Sequence, residues 1–220
     1  MTGPALLGLE GRFAYVVRVP DSWYEIDVHP ATRDESIRVL VEDRVRGNDD
    51  LWRERRSVIT FLRKQAKAAY DAGATYCASF ATPTDDGPVT GSVVISLVRG
   101  PAGSSGEDDL TGHLASLYTP IPKGTHEYDP WTSVGTVDLP GIGPCARSWG
   151  VQDVEVDGRG YIRNVFMQTA VPVPGFGKVF LISASSPVVP LAEPLLDLFD
   201  AVTGTFRLVD LREASRDATD

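Results

Sequence analysis

A short glycine-rich segment is the first part of the chain whose residue types and spacing suggest chemistry. Gly141, Gly143 and Ala146 match the spacing Gly-x-Gly-x-x-Gly/Ala and follow a stretch with strand character. Such a segment binds a dinucleotide when its backbone N–H groups open a helix beneath the pyrophosphate. Here Pro144 removes one donor, and the residues after Ala146 alternate as in a strand. We interpret the segment as a turn between strands and expect no cofactor.

An acidic cluster a few residues later resembles the start of a calcium-binding loop. Asp153, Glu155, Asp157 and Gly158 have the spacing of the first part of such a loop, but Asn164 occupies the position of the bidentate glutamate. Helices flank a calcium loop of this type, whereas strand patterns flank this cluster. Acidic residues two positions apart lie on one face of a strand. We therefore predict a solvated strand face that ends at a turn, and no metal site.

The histidines and cysteines give no recognisable ligand set. The chain contains His29, His113 and His126, and two cysteines, Cys77 and Cys145. No His-x-x-x-His pair is present and no histidine neighbours a cysteine, so a metal site or a catalytic triad would need distant residues to converge. The chain also lacks the Gly-x-Ser-x-Gly elbow of the α/β-hydrolases. Two thiols are too few for a disulfide framework, and we expect both to be buried and reduced.

A basic cluster in a predicted helix is the main candidate for a binding surface. Between positions 44 and 67 there are eight basic and three acidic residues, a local charge of +5 in a chain of formal net charge -9. Helical spacing brings a group of these residues to one face: Arg53, Arg56, Arg63, Lys64 and Lys67. This face is either the solvated back of an amphipathic helix or a docking face for an acidic protein partner.

Four aromatic residues lie outside the clear core stripes: Trp23, Tyr24, Trp131 and Trp149. Trp131 follows Asp129 and Pro130 in a predicted loop. An exposed tryptophan can anchor a partner or a ligand, and the alternative is a ring that folds over the edge of the core. Trp131 therefore joins the five basic residues as a candidate partner-binding residue.

Composition bounds the classes of function. A net charge of -9 argues against a general nucleic-acid binder, which needs a basic face for phosphates. No apolar run approaches the roughly 18 residues of a membrane span, and the first residues lack the basic and apolar regions of a signal peptide. We expect a cytoplasmic protein that does not insert into membranes.

Periodicity predicts the elements that position these residues in the first half. Alternating apolar residues predict strands over 13–19 and 23–28, paired as a hairpin. Thr32 and Glu35 form a capping-box pattern at the start of a first helix. A second, long helix over 50–72, capped by Asp49 or Asp50, is predicted from an apolar stripe of Leu51, Val58, Ile59, Leu62, Ala66, Ala69 and Tyr70.

The second half is predicted to be rich in strands joined by short turns. Strands are expected over 76–81, 89–98, 133–139, 147–156, 161–171, 178–184 and 205–209, with helices over 110–117 and 191–203. The sequence Asp157-Gly158-Arg159-Gly160 is a strong hairpin signal. Turns this short exclude crossovers, so we predict an α+β fold with a mainly antiparallel sheet and helices packed on its faces. Residues 1–211 form a single predicted domain, and residues 212–220 form a polar, frayed tail.

A resemblance covers about residues 134–209. It consists of the strand ending Val137-Asp138-Leu139-Pro140-Gly141, the later segment Val179-Phe180-Leu181-Ile182-Ser183, the helix Leu195-Leu196-Asp197-Leu198-Phe199 and the closing Thr205-Phe206-Arg207. These segments resemble the PsbP-like α/β/α sandwich family and, within it, actinobacterial Lpq-type (LpqN-like) proteins. The resemblance implies a noncatalytic binding or assembly role, although this chain has no lipid-acceptor cysteine near its start.

The residues leave three hypotheses of function open. The first is a noncatalytic interaction or accessory protein of an actinobacterial pathway, associated with secretion or the envelope. The second is a small-molecule binder with a pocket between the helix pair and the sheet. The third is an enzyme whose site is assembled from dispersed residues. The oligomeric state is left open.

Overall fold

The computed structural model describes residues 5–6, 13–100, 116, 119–126, 128–156, 158, 160–173 and 176–211. Several sequence predictions fall elsewhere. The helix over 110–117, apart from Ser116, lies outside these ranges, as do His113, Asp157 and the tail at 212–220.

A large antiparallel sheet forms the centre of the described structure. Its strands are β3 (Tyr24–Glu25), β4 (Ala74–Thr82), β5 (Val89–Arg99), β6 (Trp131–Leu139), β7 (Gly143–Glu155), β8 (Tyr161–Val173) and β9 (Lys178–Ser186). Their order in the sheet is β3-β4-β5-β9-β8-β7-β6, and every neighbouring pair is antiparallel. The hairpin predicted at 157–160 joins β7 to β8, with Glu155 opposite Tyr161.

The predicted N-terminal hairpin is wrong. Strand β2 (Phe13–Val16) pairs with β1 (Ala5–Leu6) and with the last strand, β10 (Arg207–Asp210), in a separate small sheet. Strand β3, the expected partner of β2, pairs with β4 instead. Long-range contacts stabilise this arrangement. The Tyr15 ring stacks on Phe206 at 5.5 Å between centroids, and the Arg18 N–H donates to Thr205 Oγ1 at 2.8 Å.

Three helices accompany the sheets in the described residues: α1 (Arg33–Arg44), α2 (Asp49–Asp71) and α3 (Ala192–Thr203), the last preceded by a 3₁₀ turn at Val189–Leu191. Two of the predicted caps differ. Thr32 precedes α1 without a side-chain capping bond, and the Glu35 carboxylate pairs with Arg38. Asn48, and not Asp49 or Asp50, caps α2, with its side chain accepting from the Leu51 N–H at 3.1 Å.

The helices lie on both faces of the large sheet. Alternate residues of β4 contact different apolar clusters: Tyr76 packs in the cluster with Phe199 of α3, and Cys77 packs against the cluster with Ile59 of α2. Because side chains alternate between the faces of a strand, α3 and the α1–α2 pair cover opposite faces. The prediction of an α+β fold with a mainly antiparallel sheet and helices on its faces is confirmed. Among the described residues, no helix is both long and apolar enough to cross a membrane.

The predicted apolar stripe of α2 is only partly confirmed. Ile59 and Ala66 are buried, and Leu62 and Ala69 pack beside them. Leu51, Val58 and Tyr70 are instead exposed, with 51%, 41% and 39% of their surface accessible. Leu51 and Tyr70 lie near the two ends of α2, away from the buried pair, and Val58 lies about 100° around the helix from Ile59, at the margin of the stripe.

Candidate functional site

The basic residues predicted to form one face of a helix do lie together on α2. With 3.6 residues per turn, Arg53, Arg56, Arg63, Lys64 and Lys67 share one sector of the helix, away from Ile59 and Ala66. All are exposed except Arg63, which is half-buried. The structure therefore places the whole predicted group on one side of one helix.

The five basic side chains differ in whether nearby acidic groups already pair with them. Arg53 is paired with Asp50 at 2.8 Å, and Lys67 with Asp71 at 2.5 Å. The Arg63 guanidinium donates to the Asp34 carbonyl oxygen of α1 at 2.5 Å, so this residue joins the two helices. Exposed pairs of this kind contribute little stability, but they reduce the charge that a partner meets.

Arg56 and Lys64 are the basic residues of this group for which the described part of the chain supplies no ion-pair partner. Each has an exposed aromatic residue as a helical neighbour: Trp52 precedes Arg56 by four positions, and Phe61 precedes Lys64 by three. Unpaired cations beside exposed aromatic rings combine long-range attraction with short-range apolar contact.

Exposed apolar side chains complete this surface. Phe61 is 58% exposed, and Val58 and Trp52 are each 41% exposed. The Arg55 guanidinium lies over the Trp52 ring, 4.2 Å from the ring centroid. We call Trp52, Arg56, Val58, Phe61 and Lys64 the α2 surface. It wraps around the exposed side of the helix in the order Trp52, Arg56, Lys64, Phe61 and Val58. Single exposed apolar residues are common on soluble proteins, but several large ones on one helix are typical of interaction sites.

Sequence reasoning missed the apolar part of the α2 surface. Val58 was assigned to the buried stripe, and neither Trp52 nor Phe61 was selected. A signal was present for Phe61, which lies across the helix from Ile59 and Ala66. Trp52 lies seven positions before Ile59, on the same side of the helix, so helical spacing alone did not indicate its exposure.

Trp131 does not belong to the α2 surface and is not an exposed anchor. It is the first residue of β6, in a strand and not in the predicted loop, and it is 7% exposed. Lys123 Nζ lies 4.4 Å from the centre of its ring, and Lys123 also pairs with Glu193 of α3. Trp131 forms part of the wall of a cleft of about 490 Å³ that also involves His126.

The predicted pocket between the helix pair and the sheet is replaced by packing. Val28, Ile37, Val41, Val45, Ile59 and Ala66 form an apolar cluster in this space. The cleft beside Trp131 lies at the other helix, α3, where Lys123 and Glu193 form an exposed ion pair across it. This cleft is therefore not at the position of the pocket that the sequence predicted.

The other aromatic candidates have structural contacts. Trp23 is buried against Phe80, with 4.8 Å between ring centroids. Tyr24 is half-buried beneath the Arg44 guanidinium, at 4.4 Å. Trp149 is half-buried on β7 and packs against the main core. These rings fold over the edges of the core, as the alternative interpretation expected.

The glycine-rich and acidic motifs form hairpins. Gly141 lies in the turn between β6 and β7, and Gly143 opens β7, so no helix follows them as a dinucleotide site requires. Asp153 of β7 is held by Arg163 of β8 through two bonds of 2.7 and 2.8 Å. The Arg163 guanidinium lowers the pKa of Asp153 below its ordinary value. Within the described residues, no group of three His, Cys, Asp or Glu side chains converges as a metal site.

The remaining titratable candidates are poorly suited to act as nucleophiles at neutral pH. Burial raises the pKa of the Cys77 thiol to about 11, so almost all of it is protonated. Cys145 is fully buried, as predicted, whereas Cys77 is half-buried. His29 is exposed, and its Nδ1 accepts a bond from the Ala31 N–H at 3.3 Å.

Comparisons with known proteins identify distant likenesses to solved structures. No protein-family model and no curated protein matches the chain. Similar solved structures include that of LpqN, described as involved in cell envelope biogenesis of Mycobacterium tuberculosis. The likeness has 14% sequence identity and a TM-score of 0.47, and it covers 94% of this chain and 90% of LpqN. A likeness of this size assigns neither a family nor an activity to the chain.

Proposed function

We propose that the protein is a noncatalytic interaction protein that docks an acidic partner protein on the α2 surface. The observation that carries the proposal is the exposure of Trp52 beside Arg56 and of Phe61 beside Lys64, two cations that have no ion-pair partner among the described residues. Val58 is exposed one helical turn from Phe61. Apolar side chains supply binding energy at close contact, and unpaired cations raise the rate of encounter with an acidic surface. The partner would meet the apolar residues with its own apolar patch, rimmed by carboxylates.

The resemblance of residues 134–209 to Lpq-type proteins suggests a setting for this interaction. We propose an accessory role in an actinobacterial pathway associated with secretion or the envelope. A small-molecule-binding role is the second candidate, supported by the cleft of about 490 Å³ beside Trp131.

The test reverses the two unpaired charges without disturbing the helix pair. Arg56→Glu with Lys64→Glu changes the net charge by four units, and both side chains are exposed, so stability should change by less than about 1 kcal/mol. Arg63 is left intact because it bonds to Asp34. The matched control is Arg18→Glu with Arg99→Glu, which makes the same charge change at exposed positions on other elements.

The readout is quantitative recovery of co-purifying proteins from cells that naturally make the protein. We expect an acidic partner that the wild type and the Arg18/Arg99 control both retain and that the Arg56/Lys64 variant loses. Phe61→Ala should weaken recovery of the same partner. Equal recovery of every partner by all four proteins would contradict the proposal, and the α2 surface would then be a solvated helix face.

A further inference from the structure

Among the described strands, β6 is the last of the large sheet, and most of its outer edge has no partner in the described ranges. The Thr132 N–H and C=O bond to Ile121 at 2.9 and 3.0 Å, so they point away from β7. Because backbone direction alternates along an antiparallel strand, the groups of Val134, Thr136 and Asp138 also point away from β7. In the described part of the chain, these outward groups have no hydrogen-bond partner.

A short segment covers the start of β6, where Ile121 forms an antiparallel bridge with Thr132. Among the described residues, the backbone pairing of this segment with β6 is limited to that bridge and does not include Val134. Unpaired edge groups of this kind are a template for another strand.

An acidic row on α3 faces the same side of the molecule. Glu193 pairs with Lys123, which lies over Trp131 at the start of β6, and Asp200 pairs with Arg147 of β7. Because of these two ion pairs, Glu193 and Asp200 lie on the side of α3 next to Lys123 and Arg147. Asp197 lies four positions after Glu193 and three before Asp200, so it is on the same helical side. Asp197 is exposed and has no ion partner among the described residues.

The row runs beside the free edge because of the sheet register. Arg147, the partner of Asp200, is opposite Gly135 of β6. Gly135 has no side chain, and the Trp149 ring lies 3.5 Å from the position that its Cβ would take. An added strand would thus meet unpaired backbone groups, an indole ring and carboxylates in succession.

We propose that the free edge of β6 binds an extended, basic segment of another protein as an added strand. The backbone groups of Val134, Thr136 and Asp138 supply the hydrogen bonds. Lysine or arginine side chains of the segment extend over Gly135 toward the Trp149 ring and the acidic row. A second copy of this chain is a poor occupant, because its own acidic row would be brought against this one.

The first step of the test measures the edge itself in the full-length protein. Amide hydrogen exchange should alternate along β6: Val134, Thr136 and Asp138 exchange quickly, whereas Gly135 and Val137, which face β7, exchange slowly. Slow exchange at all of these positions in the free protein would mean that the edge is already occupied, and it would overturn the proposal.

The second step uses a defined probe, the fluorescein-labelled peptide Lys-Val-Lys-Val-Lys-Val-Lys, with a Glu-Val-Glu-Val-Glu-Val-Glu peptide as its control. The lysine peptide should bind to the protein, and its affinity should fall as salt rises. Its binding should slow amide hydrogen exchange at Val134, Thr136 and Asp138. Thr136→Pro should weaken binding while the fold is retained, because the lost N–H has no partner in the part of the chain that the structure describes. The glutamate peptide should not bind.

Two charge variants distinguish the effect of the acidic row on peptide binding from the effect of the net charge of the protein. Asp197→Lys should lower the affinity for the lysine peptide by about tenfold or more, because an attractive charge becomes repulsive. Asp85→Lys makes the same change in the turn between β4 and β5, and it should leave affinity within about twofold. Two results would overturn the proposal: equal binding of both peptides, or binding without slower exchange at the three amides. In either case the acidic row only guards the edge against other strands.

Discussion

The helices α2 and α3 differ in where their apolar residues lie: most of those of α3 are buried, whereas several of those of α2 are exposed. α3 has 12 residues and buries Leu195, Leu196, Phe199, Val202 and Thr203 against the large sheet. α2 has 23 residues, all described, and its buried side chains are Ile59 and Ala66. The shorter helix therefore belongs to the core, whereas much of the longer one projects into solvent.

This difference separates structural apolar residues from candidate functional ones. Phe199 of α3 is completely buried, and Phe61 of α2 is 58% exposed, although both occur at helical positions in apolar surroundings of the sequence. Folding is stabilised by the first and gains little from the second. An exposed ring that the fold does not need is better explained by contact with another molecule.

The largest expected effect comes from removing the two rings in turn. Phe199→Ala should lower the free energy of unfolding by about 3–5 kcal/mol, because it leaves a cavity under α3. Phe61→Ala should lower it by less than about 0.5 kcal/mol. Urea unfolding at neutral pH measures both. Similar losses for the two variants would mean that the α2 surface is part of the folded core and not a docking surface.

A smaller effect should appear at alkaline pH, with one group on each side of the sheet. Burial raises the pKa of Cys77, on the α1–α2 side, from 9.0 to about 11, and that of Tyr15, on the α3 side, from 10.0 to about 12. Folding favours the protonated form of both groups. Their contribution is therefore complete below pH 9 and is lost between pH 9 and 11 for Cys77, and between pH 10 and 12 for Tyr15.

Replacing Cys77 distinguishes its contribution to the pH dependence of stability from that of Tyr15. Cys77→Ala should flatten the fall in unfolding free energy between pH 9 and 10 and reduce it between pH 10 and 11, where the contribution of Tyr15 remains. Urea midpoints at pH 7, 9, 10 and 11 measure this difference. An unchanged profile in the Cys77→Ala variant would show that the thiol is well solvated and that the helix pair covers it loosely.

Local signals in the sequence predicted most of the large sheet. The turn around Gly158 and the short connection through Gly141 identified the β6–β7–β8 meander, because tight turns force their flanking strands to pair. The pairing of β2 with β10 was not predictable in this way. It depends on Tyr15 meeting Phe206, residues that are far apart in the chain and close only in the fold.

The candidate site was predicted in part. Helical spacing was sufficient to place Arg53, Arg56 and Lys64 on one side of α2. It gave no indication that Asp34 of α1 would accept from Arg63, because that contact depends on how the two helices cross. The exposure of Phe61 was readable from its position across the helix from Ile59, whereas that of Trp52 was not, since Trp52 shares the side of Ile59 and depends on how much of α2 the sheet and α1 cover.

The docking of a partner on the α2 surface is tested most directly by site-specific photo-cross-linking in cells. A photoreactive phenylalanine analogue replaces Phe61 in one variant and Tyr161, which is 72% exposed on β8, in the control. We expect a discrete adduct with an acidic protein from position 61, its loss when Arg56 and Lys64 are changed to Glu, and no such adduct from position 161. The same adducts from both positions, or none from position 61, would contradict the proposed function.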